Sequence, residues 1–215
     1  MIQPSIDLRS DTITRPTSDM LKAMYEAKTG DDVFAEDPAA VELQERCAAL
    51  FGHESALYCP SGTMTNQIAI NVHVRPGDEV VCDRKSHIYN YEGGGIARNS
   101  GASVRLIEGD NGRFRWSDVI SEINPSDSHY ARTSLVSVED TCNRGGGSVW
   151  DLQDLRDIQT GCRGINLPLH LDGARVWNAL IARNNNAVPT EDIWRSYGKT
   201  FDSISVCFSK GLGAP

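Results

Sequence analysis

Five short apolar runs punctuate the chain, and amphipathic stretches fill the spaces between them. Glu79–Asp83, Ser103–Ile107, Ser134–Glu139, Leu167–Asp172 and Ser203–Phe208 are rich in Val, Ile and Leu, the pattern of strands with little exposed face. A sixth run, Glu54–Cys59, predicts another short strand. Helix signals lie between. Asp37 can cap a helix that has Pro38 at its first position, apolar Val41, Leu43, Cys47, Leu50 and Phe51 along it, and Gly52 closing it. The pattern predicts further helices from the Ser61-Gly62 turn to Val74, from Ser117 to Ile123, from Asp151 to near Gly161, from Ala174 to Ala182 and from Thr190 to Tyr197. Asn184-Asn185-Asn186 reads as a surface loop. Strands spaced by helices predict an α/β fold with a mostly parallel sheet, helices on both faces and right-handed crossovers.

In such sheets ligands sit beyond the carboxyl ends of the strands. That edge would collect Asp83, His87, Glu139, Asp172 and Lys210. A lysine and a carboxylate at two strand ends are what pyridoxal phosphate (PLP) chemistry needs, the one for a Schiff base and the other for the pyridinium nitrogen. Asp172 ends the run Leu-Pro-Leu-His-Leu, where an unpaired carboxylate is costly and a pyridinium N–H is a suitable partner. A strand-end Asp also caps helices, so its position alone leaves both roles open. Arg175 lies one helical turn on and can face the same cavity. Pro60-Ser61-Gly62-Thr63 sits where a turn opens a helix, so backbone N–H groups, hydroxyls and the helix dipole can hold a phosphate. Taken alone, those residues read first as a plain Ser cap with a glycine. His87, with Gly93-Gly94-Gly95 behind it, can stack over a flat ring.

Composition narrows the partners. The net charge of −8 over 215 residues argues against nucleic acid. No Lys/Arg cluster, basic-then-apolar leader or membrane-length apolar run is visible, so the reading is a cytoplasmic protein without a membrane partner. The six cysteines are scattered, without zinc-site spacing, and read as core thiols in a reducing compartment; no ligand cluster points to a metal.

The tracts Asp7-Leu8-Arg9-Ser10-Asp11-Thr12-Ile13-Thr14, Gly30-Asp31-Asp32-Val33-Phe34-Ala35-Glu36-Asp37-Pro38, Pro60-Ser61-Gly62-Thr63-Met64, the His87 loop, Asp172-Gly173-Ala174-Arg175 and Ser209-Lys210-Gly211-Leu212-Gly213-Ala214-Pro215 closely resemble those of the low-specificity L-threonine aldolases. These are fold-type-I PLP enzymes of the β-eliminating lyase group. The resemblance covers the whole chain in the right order. It implies the aspartate aminotransferase fold, with residues 1–215 as a PLP-binding large domain that stops just after the Schiff-base lysine and lacks the small C-terminal domain. It implies Lys210 as that lysine, Asp172 as ring-nitrogen partner, His87 as stacking residue and base, and Ser61, Gly62 and Thr63 as phosphate ligands. Arg175 is matched to the cofactor O3′ and the substrate carboxylate, and Ser10 to that carboxylate. The implied reaction cleaves L-threonine or L-allo-threonine to glycine and acetaldehyde, in a homodimer or homotetramer. Another β-eliminating lyase, or a non-catalytic PLP-binding fragment, is the alternative. Two residues depart from the family pattern: Cys142 replaces a histidine near the substrate hydroxyl, and Phe34 replaces a tyrosine.

Overall fold

The computed structural model describes residues 6–214. The first five residues, where a leader was sought, and Pro215 of the lysine motif lie outside them. Five strands form one parallel sheet: β1 (Glu79–Asp83), β2 (Ser103–Ile107), β3 (Thr133–Glu139), β4 (Leu169–Gly173) and β5 (Ser203–Val206), in the order β2-β1-β3-β4-β5. The chain winds outward one way from β1 to β2 and the other way through β3, β4 and β5. The loops leaving β1 and β3 therefore part company and leave a crevice at the carboxyl edge.

Helices cover both faces. On one side α2 (Pro38–Phe51), α6 (Trp116–Glu122), α7 (Leu152–Gly164), α8 (Val176–Arg183) and α9 (Glu191–Gly198) enclose the main core with Val81, Val136, Val138, Leu169 and Leu171. On the other, α3 (Gly62–His73), α4 (His87–Asn90) and α5 (Gly95–Ser100) pack a smaller cluster on Val80, Cys82 and Leu135. Successive residues of β1 and β3 thus serve opposite cores, as the two-residue strand period requires. The Asp37 carboxylate accepts from the N–H groups of Ala39 and Ala40, and Gly52 closes α2 with φ 70°.

The expected α/β architecture stands, with corrections at its edges. Residues 54–59 form no strand among the described residues; the Tyr58 N–H donates to the Gln44 side chain instead. Helix α7 runs past Gly161 to Gly164, because Gly161 faces the Trp116 ring: a Cβ there would lie 2.2 Å from it. Its glycine signals a close contact, not an end. Strand β5 stops at Val206, two residues short of the expected Phe208. Helix α1 (Ser18–Glu26), α4 and α5 were not predicted; α1 buries none of its residues. Among the described residues no helix is long and apolar enough to cross a membrane.

Candidate active site

A cavity of about 950 Å³ opens at the carboxyl edge, and Thr12, Ser61, Gly62, Thr63, His87, Asp172 and Lys210 all line it. Its floor is the start of α3. The Ser61 hydroxyl accepts from the Met64 N–H at 3.2 Å, while the Gly62 and Thr63 N–H groups, first in the helix, have no acceptor within it. Such a helix start attracts an anion. Gly62 keeps this turn close to the Cys207 sulfur, which a Cβ would approach within 2.5 Å and have to displace.

Strand β4 supplies the carboxylate. Its Leu169 and Leu171 enter the main core, so His170 and Asp172 turn to the opposite face, under α3. There the Asp172 carboxylate accepts from the Ala174 N–H at 3.2 Å and the Asn66 amide at 2.9 Å. Burial raises its pKa. Glu139, at the end of β3, is pushed up to about 7 by burial and by the Asp172 charge. Its two oxygens accept from the His87 and Asn143 N–H groups, both at 2.9 Å, and so hold the loops after β1 and β3 together.

His87 is oriented from behind. Its Nδ1 lies 3.0 Å from the Glu92 carboxylate, whose side chain is fully buried. That hydrogen bond raises the His87 pKa against the opposing effect of burial. The glycines after it serve the fold, not ring access: Gly93 and Gly94 adopt φ of 63° and 69°, and Gly95 admits Gln67 of α3. The ligand atoms of His87, Glu92 and Asp172 fall within 4.8 Å of one another, a cluster that sequence spacing did not disclose. The Asn66 amide nitrogen bridges the two carboxylates at 2.9 Å each.

Three expected contributors stand elsewhere. Ser10 is exposed and caps a short 3-10 turn through the Thr12 N–H. Arg175 donates from Nε and Nη2 to Asp11 at 2.6 and 2.8 Å, which ties the N-terminal segment to the end of β4 and occupies the guanidinium fork. Cys142 is completely buried, its sulfur against Gly112, and burial pushes the thiol up to about 12. It neither lines the cavity nor offers a thiolate. Sequence reading missed Asn66, Glu92 and Asp11. Asn66 follows Gly62 by four residues, one helical turn, which was the available signal; Glu92 and Asp11 carried none beyond their place in motifs already noted.

A parallel sheet with helices on both faces, a switch-point crevice and a helix start beside a buried carboxylate define the α/β class that binds phosphorylated cofactors at its carboxyl edge. The solved Leishmania major threonine aldolase superposes with a TM-score of 0.70 at 25% identity, over 80% of this chain and 50% of that one. Mouse CSAD shares the fold alone, with a TM-score of 0.67 at 19% identity over 96% of this chain and 46% of its own. The fold is that of the fold-type-I PLP enzymes. Residues 7–215 match the model of the beta-eliminating lyase family, to which the chain belongs. Low-specificity L-threonine aldolase of Saccharomyces cerevisiae is 42% identical over 97% of this chain, and that of Escherichia coli K12 is 38% identical over 98%. The chain spans about half the length of such curated relatives, 52% of the yeast protein and 60% of the bacterial one.

Proposed function

We propose that residues 1–215 form the cofactor-binding large domain of a PLP-dependent aldolase that cleaves β-hydroxy-α-amino acids, L-threonine and L-allo-threonine among them, to glycine and an aldehyde. The observation that carries this is the convergence of Lys210, Asp172, His87 and the α3 start on one cavity. The residues fit the cofactor. Unpaired N–H groups at Gly62 and Thr63 suit its phosphate, and a buried carboxylate with a raised pKa suits a cationic ring nitrogen. Lys210 stands four residues beyond β5 on the same edge.

Bound there, PLP supplies an electron sink for the carbanion left when the Cα–Cβ bond breaks. The protein supplies the rest. Asp172 would hold the ring nitrogen protonated, His87 would pack on the ring, and Lys210 would be the covalent anchor. With Nδ1 donating to Glu92, His87 presents Nε2 as the atom that takes a proton, and the carboxylate behind it strengthens it as a base. The buried Cys142 leaves that role to His87. Arg175, held by Asp11, positions the N-terminal segment at the cavity mouth. The exposed Leu21, Met24 and Tyr25 of α1 suit a contact with a second copy, in a dimer or tetramer. Six free thiols suit a reducing compartment such as the cytoplasm.

Borohydride reduction after incubation with PLP, followed by peptide mass spectrometry, tests the reading. A pyridoxyl group confined to Lys210 and absent from Lys210→Ala is the expected result. Label spread over surface lysines would refute it. Product analysis with threonine, serine and an amino acid bearing a β-leaving group then separates aldol cleavage from β-elimination.

A further inference from the structure

His170 is completely buried, yet its ring belongs to no apolar cluster and does not itself line the cavity; it sits behind Asn66 and Ser203, which do. Its Nε2 lies 3.1 Å from the Asn66 side-chain oxygen, and its Nδ1 lies 2.9 Å from the Ser203 hydroxyl. The same hydroxyl lies 2.9 Å from Nε2 of His73. Asn66 in turn reaches both carboxylates of the site through its amide nitrogen, Glu92 and Asp172, each at 2.9 Å.

With the Glu92 and Asp172 carboxylates ionised, donor and acceptor roles along this chain have one consistent solution. Carboxylates accept, so the Asn66 NH2 must face Glu92 and Asp172 and its oxygen must face His170. That oxygen needs a donor, which places the His170 proton on Nε2. Burial and the nearby His73 push the His170 pKa down to about 3, so the neutral ring has only that one proton. Nδ1 is then an acceptor, filled by the Ser203 O–H. Ser203 accepts in turn from His73 Nε2–H. A flipped Asn66 would set an oxygen against two carboxylates and leave His170 facing an N–H.

We infer that His170 is a positioning residue for the cofactor site: through Asn66 it fixes the amide that holds Asp172 and Glu92 in place, and so sets the ring-nitrogen partner and the His87 base from one buried point. The inference builds on the proposed role of Asp172 toward PLP. The chain of hydrogen bonds does not depend on it. Strand β4 makes the device, because its two-residue period puts His170 and Asp172 on one face while Leu169 and Leu171 anchor the other.

Two measurements on the whole chain decide it. Histidine ¹⁵N NMR without PLP should show His170 as a single Nε2–H tautomer that does not titrate between pH 5 and 8. An Nδ1–H tautomer, or titration in that range, overturns the inference. With PLP, His170→Phe should weaken binding about tenfold, the effect of leaving the buried Asn66 oxygen without its donor. His170→Gln, which keeps a donor near the Nε2 position, should stay within about threefold of the parent. Asn66→Ala should weaken binding like His170→Phe, and the double variant should be no weaker than either. Equal affinity in a folded His170→Phe chain, or additive losses, would overturn the inference. A parent chain that fails to bind PLP would sink the proposed function, and the tautomer would still decide the relay.

Discussion

Strand β4 has two faces built on opposite principles. Leu169 and Leu171 sit in a core of Val, Leu, Ile and Trp side chains, where burial itself stabilises and many partners would serve. His170 and Asp172, which alternate with them, sit in a polar layer with the buried Asn66, Glu92 and Ser205 and the half-buried Ser203. Here every buried polar atom needs a particular partner in a particular orientation. The apolar face holds the sheet together, while the polar face holds one arrangement of charges at some cost in stability. A ligand-binding edge needs the second kind, and the first kind makes it tolerable.

The sharpest break of this contrast would come from swapping the roles of neighbours. Leu171→Ala should cost about 2–5 kcal/mol in urea unfolding, whereas Asp172→Asn should change the stability of the PLP-free chain by less than about 1 kcal/mol at pH 7. A larger loss from Asp172→Asn would mean that the polar layer also holds the fold. Next in size are two glycines. Gly161→Ala should cost about 1–3 kcal/mol, because the Trp116 ring already fills the space. Gly62→Ala should instead reduce PLP affinity at little cost in melting temperature, since its neighbour is the movable Cys207 sulfur. Equal losses of stability in both would erase the distinction between core and site.

The smallest effects lie in the pH dependence, and their signs oppose. Glu139 has a folded pKa of about 7, above its ordinary value of 4.5, so the folded chain binds the extra proton and stability falls as pH rises through that window. Asp172, also raised, adds to the fall. His170, pushed down to about 3 from 6.5, does the reverse: stability is lost as pH falls below 6.5. Each slope is at most about 1.4 kcal/mol per pH unit, and in the parent the His170 rise offsets part of the Glu139 and Asp172 fall between pH 4.5 and 6.5. Denaturant titrations at several pH values should therefore find the fall of stability with pH weaker than in the parent for Glu139→Gln and steeper than in the parent for His170→Gln. Matching slopes in the two variants would show that neither group carries the linkage.

Much of the scaffold was legible because it rests on local rules. The Asp37, Pro38 and Gly52 signals mark α2 to the residue, and β1 and β2 coincide with their apolar runs. Glu54–Cys59 misled because strand character in the side chains does not provide a neighbouring strand to pair with. Gly161 misled because a glycine needed for a ring contact looks in sequence like a glycine needed to stop a helix. At the site, Lys210, Asp172, His87 and the Ser61–Thr63 turn were each readable from strand ends and helix starts. Cys142 was misplaced because its motif position says nothing about which way a loop turns its side chain.

By itself, then, the amino-acid order determined the sheet, most of its helices, the edge that carries the candidate site and the family to which the chain belongs. These follow from periodicity, capping and motif order, which act between residues close along the chain. Only the tertiary structure decided that Arg175 pairs with Asp11, that Glu92 stands behind His87, and that Asn66 joins two carboxylates to His170. Those contacts, apart from the one within the His87 loop, join residues 26 to 164 positions apart. A hydrogen bond depends on distance and angle in space, and both are set only when α3 settles on the polar face of β4.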